Sequence, residues 1–220
     1  MTLGGEIAAA IATLPKRDVP AARLVRRRFS HQLRGADPGL VLAAAEELAG
    51  SDSDLVRLVG YELVAAHPQA RERLTAARLK RLAGKLDSWG SVDCFACFLS
   101  GPAWRGNQIS AGVIRSWARS RDRWWRRAAL VSTVPLNNRT RGGEGDPRRT
   151  LMICTLLVHD RDDMVEKALS WALRELAKRD AAAVRKFLVQ HRWELSARVR
   201  REVDNKLRTG LKHPQRRPAN

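Results

Sequence analysis

The stretch Leu86-Asp-Ser-Trp-Gly-Ser-Val-Asp-Cys-Phe-Ala-Cys-Phe-Leu99 opens on polar side chains and runs on into small and apolar ones. Asp87 or Ser88 can accept the unpaired N–H groups of a helix start, so the spacing predicts a helix over Trp89 to Leu99. The same order of residue types recurs in SDSDLVRLVGYEL (51–63), SRDRWWRRAALVS (120–132) and DRDDMVEKALSWAL (160–173). Aligning Val56, Val92, Trp125 and Val165 gives spacings of 36, 33 and 40 residues. Periods of that size belong to stacked two-helix repeats, in which each unit buries its apolar face against its neighbours. The polar residues next in this register are Arg57, Asp93, Arg126 and Glu166, which predicts a polar row along the array.

Working outward, Pro15 and Pro20 end a first helix over Glu6 to Leu14. Helices then follow over Ala21 to Leu33, with Leu24, Val25, Phe29 and Leu33 inward, and over Leu40 to Leu48 and Leu55 to Ala66. Leu74 to Leu86 reads as a basic amphipathic helix with Leu74, Ala77, Leu79 and Leu82 as its apolar contacts. Gly101-Pro102 is expected to close the helix carrying Trp89. Asn107 to Ala118 and Arg123 to Pro135 come next, then a Gly-rich flexible loop over 137–147. Thr150 to His159, Asp162 to Arg179, Ala181 to Val189 and Leu195 to Leu207 complete the helices. No segment alternates with period two, so no strand is expected. The fold class is therefore all-α, a HEAT-like helical-repeat solenoid with a concave basic face. We expect one domain over residues 1–210 and a disordered basic tail over 211–220.

Lys and Arg total 41 against 23 Asp and Glu, a formal net charge of +18. That excess exceeds what solubility requires and implies a polyanionic partner, nucleic acid or an anionic membrane surface. A duplex fits an Arg-lined concave surface, and Arg57, Arg126, Arg139, Arg141, Arg148, Arg149 and Lys167 are expected to hold its phosphates. No apolar run is long enough to span a bilayer, and the start lacks the pattern of a signal peptide. Three cysteines, an odd number, fit a reducing cytoplasm. Cys94 and Cys97 have C-x-x-C spacing but no second pair to complete a zinc site, so they read as small packed residues. With no metal cluster, phosphate loop or nucleotide fingerprint, no cofactor is expected.

The chain has seven tryptophans. Trp117 and Trp125 read as core. Trp89 and Trp171 lie near the polar row, four residues before Asp93 and five after Glu166, where an aromatic face could contact a sugar or base. An acid near a helix start also simply complements the helix dipole. In a surface that attracts anions, however, the Asp93 carboxylate is useful when the substrate develops positive charge. Cleavage of an N-glycosidic bond does that, because the sugar passes through an oxocarbenium-like state. Asp93 would stabilise that cation and orient or deprotonate the attacking water. At about 4 Å and an effective dielectric of about 20 the attraction is about 4 kcal/mol, roughly a thousandfold in rate if it is realised in the transition state. Arg127 would hold a phosphate or water nearby, with Arg126 as the alternative, about 100° away on a helix.

The segments Ser88-Trp-Gly-Ser-Val-Asp93, Trp124-Trp-Arg-Arg-Ala-Ala129 and Lys167-Ala-Leu-Ser-Trp-Ala-Leu-Arg-Glu175 resemble the AlkD-like DNA alkylation repair family of HEAT-like-repeat DNA glycosylases. The resemblance runs over roughly residues 20 to 208. It implies a base excision repair hydrolase that excises cationic N3- and N7-alkylpurines from duplex DNA without flipping the base, with bulky natural-product adducts as a further substrate class. Asp93 matches the catalytic aspartate, Trp89 and Trp171 the two active-site tryptophans, and Arg127 the active-site arginine. A cytoplasmic or nucleoid-associated monomer is expected. Two other readings stand beside this one: a non-catalytic DNA-structure binder of the same fold, and a HEAT-type scaffold for protein or RNA.

Overall fold

The computed structural model describes residues 1–214, and among these every regular element is helical. The elements are α1 (Leu3–Ala12), α2 (Val19–Gln32), α3 (Pro38–Ala49), α4 (Asp54–Ala66), α5 (Pro68–Glu72), α6 (Ala76–Ala83), α7 (Trp89–Phe95) and α8 (Gly101–Arg105). They continue as α9 (Ala111–Ala118), α10 (Arg123–Val131), α11 (Val134–Asn137), α12 (Pro147–Leu156), α13 (Asp163–Leu176), α14 (Ala181–Gln190) and α15 (Ala197–Thr209). The all-α helical-repeat class is what the sequence predicts. The repeat helices α4, α7, α10 and α13 begin after Ser53, Ser88, Asp122 and Asp162. Three of these four caps accept backbone N–H bonds through their side chains, Ser53 being the exception.

The chain divides into two compact units, Met1–Val113 and the remainder from Ile114. In the first, α4 is central: it packs on α2, α3 and α7, while α1 packs on α3. Its apolar side chains face every neighbour, so Val56, Leu58, Val59, Tyr61, Leu63 and Val64 are all buried. Tyr61 meets Phe95 edge to face, with ring centroids 5.9 Å apart. In the second unit α13 is central, packed against α10, α12 and α15. Val165, Ala168, Leu169, Ala172, Leu173 and Leu176 form its buried stripe, at the spacing a helix requires.

Several boundaries differ from the sequence expectation for identifiable reasons. Leu24 is 60% exposed. The buried stripe of α2 is Ala22, Val25 and Phe29, continued by Leu33, and Leu24 falls on the opposite side of that helix. The helix expected over residues 74–86 is shorter. It starts at the Thr75 cap, stops at Gly84, and leaves Ala77 exposed. Gly84 has φ +45°, and a Cβ there would stand 2.2 Å from the Ala49 carbonyl oxygen. Only glycine fits that turn.

Gly101-Pro102 does not end the α7 helix. A π-turn over Ala96–Ser100 carries it straight into α8, with proline in the first turn. The wider π-turn is where such a helix can take up an irregularity in its hydrogen-bond ladder. The 137–147 loop is held rather than flexible. Asn137 Nδ2 donates to Thr133 O at 3.0 Å and to Thr150 Oγ1 at 2.8 Å, and its Oδ1 accepts from Asp146 N at 2.9 Å. Arg179 Nε adds a bond to Asn137 O at 2.8 Å. The tail expected to be disordered from 211 begins docked, with Lys212 Nζ 3.4 Å from Glu202 Oε1, and from residue 215 it lies outside the described residues.

Candidate active-site residues and their supports

Trp89 is the first residue of α7 and is 63% exposed. A large aromatic left in solvent at a helix start contributes nothing to the core and is available to a ligand. Its position is set from below. Ser88 Oγ accepts the Ser91 N–H at 3.1 Å and donates to both Asp54 carboxylate oxygens at 2.8 and 2.9 Å. Asp54 opens α4, so the first turn of one repeat helix holds the first turn of the next. A Cβ on Gly90 would stand 3.3 Å from Asp54 Oδ2, so α7 lies close over that carboxylate. Asp93 follows one turn after Trp89 on α7 and is half-buried.

Arg57 underlies this arrangement. It is 2% exposed, and its guanidinium donates to Asp54 at 2.5 Å, to Asp87 at 2.7 Å and to the Ser51 carbonyl at 2.9 Å. Burial alone would lower its pKa. The Asp54 hydrogen bond and the charges of Asp54 and Asp87 outweigh that, and the pKa is raised. A side chain so enclosed has no face left for a phosphate. The Arg57 expected in a DNA-lining row is instead a brace that locks the Asp87-Ser88 turn to α4.

Arg126 stands in the same way in the second unit. It donates to Asp160 at 2.6 Å and to the carbonyls of Ser120 at 3.1 Å and Arg121 at 2.8 Å, and it is mostly buried. Arg127, its neighbour, is 5% exposed and donates to Met164 O at 2.6 Å, which joins α10 to the first turn of α13. Trp117 and Trp125 meet tilted at 50°, with centroids 4.9 Å apart, and are half-buried rather than in the core where the sequence put them.

On α13, Lys167 and half-buried Trp171 lie one turn apart. Lys167 pairs with Asp163 at 2.7 Å. Arg198 of α15 pairs with Asp163 as well, and reaches Glu166 at 3.7 Å. Hydrogen bonds from Lys167 and Arg198 draw the Asp163 pKa down to about 2. Behind Trp171, Ser170 Oγ is buried and donates to Glu202 at 2.6 Å. Of the loop arginines, Arg139 and Arg148 are exposed, Arg141 is half-buried, and Arg149 is paired with Asp146. Among the described residues no three His, Cys, Asp or Glu side chains gather as metal ligands.

Sequence reasoning makes Asp87 or Ser88 the cap of α7, and Ser88 is that cap, but it misses their ties to Asp54 and Arg57 and the pairing of Arg198 with Asp163. The signal was the acids clustered around the caps, in SDSD, LDS and DRDD. Counting from the caps also changes the register. Arg57, Val92, Arg126 and Glu166 each stand four residues after a cap, whereas Asp93, Arg127 and Lys167 stand five after.

No curated protein matches this chain in sequence. The model of one family, described as DNA alkylation repair enzyme, matches residues 18–207, nearly the whole array of helices from the cap of α2 to the last turns of α15. The chain belongs to the DNA alkylation repair enzyme family.

Proposed function

We propose that this member of the family is a DNA N-glycosylase that hydrolyses the bond between deoxyribose and a cationic N3- or N7-alkylated purine in duplex DNA. The observation that carries the reading is an exposed tryptophan, Trp89, one helical turn before a carboxylate, Asp93, in a chain of net charge +18. A carboxylate repels the DNA backbone, so it does not serve the grip on phosphate, and it suits a substrate that develops positive charge.

An alkylated N3 or N7 already places positive charge on the base. When the glycosidic bond breaks, its electron pair leaves with the purine, which becomes neutral, and the positive charge moves to the sugar. No strong general acid is required. Asp93 stabilises the sugar cation and takes the proton of the water that attacks it. The ring face of Trp89 contacts the sugar and steadies the same charge, so the base is not drawn into a pocket, and Trp171 on α13 is the second tryptophan that the family resemblance assigns to the reaction. Arg127, buried and fixed through Met164 O, is the arginine that the family resemblance assigns to the reaction. Arg139, Arg141, Arg148, Arg149 and Lys167 hold the backbone. Arg57 and Arg126 take the part of braces, because their guanidinium groups are already engaged. We propose a single functional domain over residues 1–210, acting as a cytoplasmic or nucleoid-associated monomer. Bulky purine adducts belong to the same substrate class, since their leaving group is equally cationic. Among the described residues, no helix is long and apolar enough to cross a membrane.

The test is release of free 7-methylguanine from methylated duplex DNA, with abasic sites counted in parallel. Base release in proportion to abasic sites supports a glycosylase. Tight duplex binding with no release from small or bulky cationic adducts returns the protein to a DNA-structure binder. No preference for duplex DNA returns it to a scaffold. Trp171→Ala should slow excision more than it weakens binding, and equal losses in both would remove Trp171 from the reaction.

A further inference from the structure

A cleft of about 350 Å³ opens in the first unit between α2, α3 and the end of α4. Its walls carry Arg27, His31, Arg34 and His67, its floor is apolar with Leu33 and Leu63, and no carboxylate lines it. Among the described residues Arg27, His31 and Arg34 make no ion pair or side-chain hydrogen bond. Glu62, an acid of the adjoining helix α4, is already paired with Arg23 at 2.7 Å and Arg26 at 3.4 Å. The guanidinium groups of Arg27 and Arg34 therefore remain unneutralised in the lining of one cleft.

His67 adds an independent observation. It is 5% exposed, and its Nδ1 accepts the Ala70 N–H at 3.1 Å. The proton of the neutral ring must then sit on Nε2. That buried Nε2–H has no partner among the described residues. Buried donors nearly always have an acceptor, so an unpaired one on a residue that lines this cleft marks a place for an acceptor supplied by a ligand. Two guanidinium groups with a fixed imidazole N–H match the oxygens of a phosphate group, which Arg binds in bidentate fashion.

We propose that this cleft is a phosphate-binding subsite, distinct from the Trp89–Asp93 patch, with Arg27 and Arg34 supplying the charge and His67 Nε2–H the directed hydrogen bond. The phosphate is either one of the DNA backbone or that of a free phosphorylated ligand. The proposal stands whether or not the protein releases base, because its readout is local.

The experiment follows the His67 Nε2 resonance by NMR in the full-length protein. It titrates inorganic phosphate at constant ionic strength, and separately a short unmodified duplex. Both titrations are repeated on the double variant Arg27→Gln, Arg34→Gln and on Arg115→Gln, an exposed control outside the cleft. The expected result is a saturable shift with phosphate, weakened about tenfold or more in the double variant, the size of one lost charge-assisted hydrogen bond, and unchanged in Arg115→Gln. A matching shift with duplex, weakened by the same variant, assigns the phosphate to the DNA backbone. A shift with inorganic phosphate alone assigns a free ligand. No saturable shift with either probe, or equal affinity in the double variant, overturns the subsite.

Discussion

Arg57 and Arg126 occupy the same place in two repeats and share two kinds of partner. Each stands four residues after its helix cap and donates to the carbonyl six residues upstream, Ser51 O at 2.9 Å and Ser120 O at 3.1 Å. Each also binds an acid just ahead of the next repeat helix, Asp87 at 2.7 Å and Asp160 at 2.6 Å. A buried guanidinium bonded in this way fixes the turn that begins α7 in one case and α13 in the other. Those are the helices that carry Trp89 and Trp171.

Removing the brace should therefore unfold more than it unbinds. Arg57→Met leaves Asp54 and Asp87 without their counter-charge, but both carboxylates are half-exposed and water can take them up. We expect a loss of about 1–3 kcal/mol in urea denaturation, with DNA affinity of the folded protein little changed. A loss of DNA affinity without loss of stability would make Arg57 a phosphate ligand after all.

Asp163 makes a prediction about pH. Its folded pKa, about 2, lies below the ordinary carboxylate value because Lys167 and Arg198 bond its charged form. Its contribution to stability is thus complete above the unfolded-state pKa, near 3.9, and disappears as pH falls through about 2. The carboxylate is half-exposed and screened by solvent, so the effect is small. Asp163→Asn should melt below wild type at neutral pH, and the gap should close on acidification. A gap that is constant with pH would mean that the pairings with Lys167 and Arg198 do not persist in solution.

The loop over 137–147 should depend on one side chain. Asn137→Ala removes three hydrogen bonds, to Thr133 O, Thr150 Oγ1 and Asp146 N. We expect about 2 kcal/mol of destabilisation and faster hydrogen exchange at the Gly145 and Asp146 amides. Unchanged exchange there would show that Arg179 alone, through Asn137 O and Gly143 O, holds the loop.

Counterion release gives a salt test. If Arg139 and Arg148 each neutralise one phosphate, the double variant to Gln should flatten the slope of log affinity against log salt by about two. An unchanged slope would take both side chains off the DNA.

The repeat architecture was legible because cap, apolar step and small residues recur at a period that only stacked helices explain. Trp89 and Asp93 were legible because α-helical spacing places them one turn apart wherever the helix lies. The register of the polar row was not. Aligning Val92 with Val56 and Trp125 put Asp93 beside Arg57 and Arg126, whereas the caps show it one position later, with Arg127 and Lys167. A one-residue shift turns a helical side chain by about 100°, enough to exchange a buried brace for a half-exposed carboxylate. Nor does an arginine's sequence position reveal whether an acid from the next turn lies above it. Asp87 and Asp160 are 30 and 34 residues from their partners, and only packing brings them in.

The central claim is that Asp93 serves the reaction and not the grip on DNA. The most direct measurement compares wild type with Asp93→Asn for release of 7-methylguanine from methylated duplex, with affinity for the same duplex measured alongside. The account predicts release slower by about a hundredfold or more, a loss of roughly 3 kcal/mol in the transition state, at equal or slightly tighter affinity, since a charge that repels phosphate has gone. Equal release by the two proteins, or a loss of release matched by the loss of binding, would contradict it.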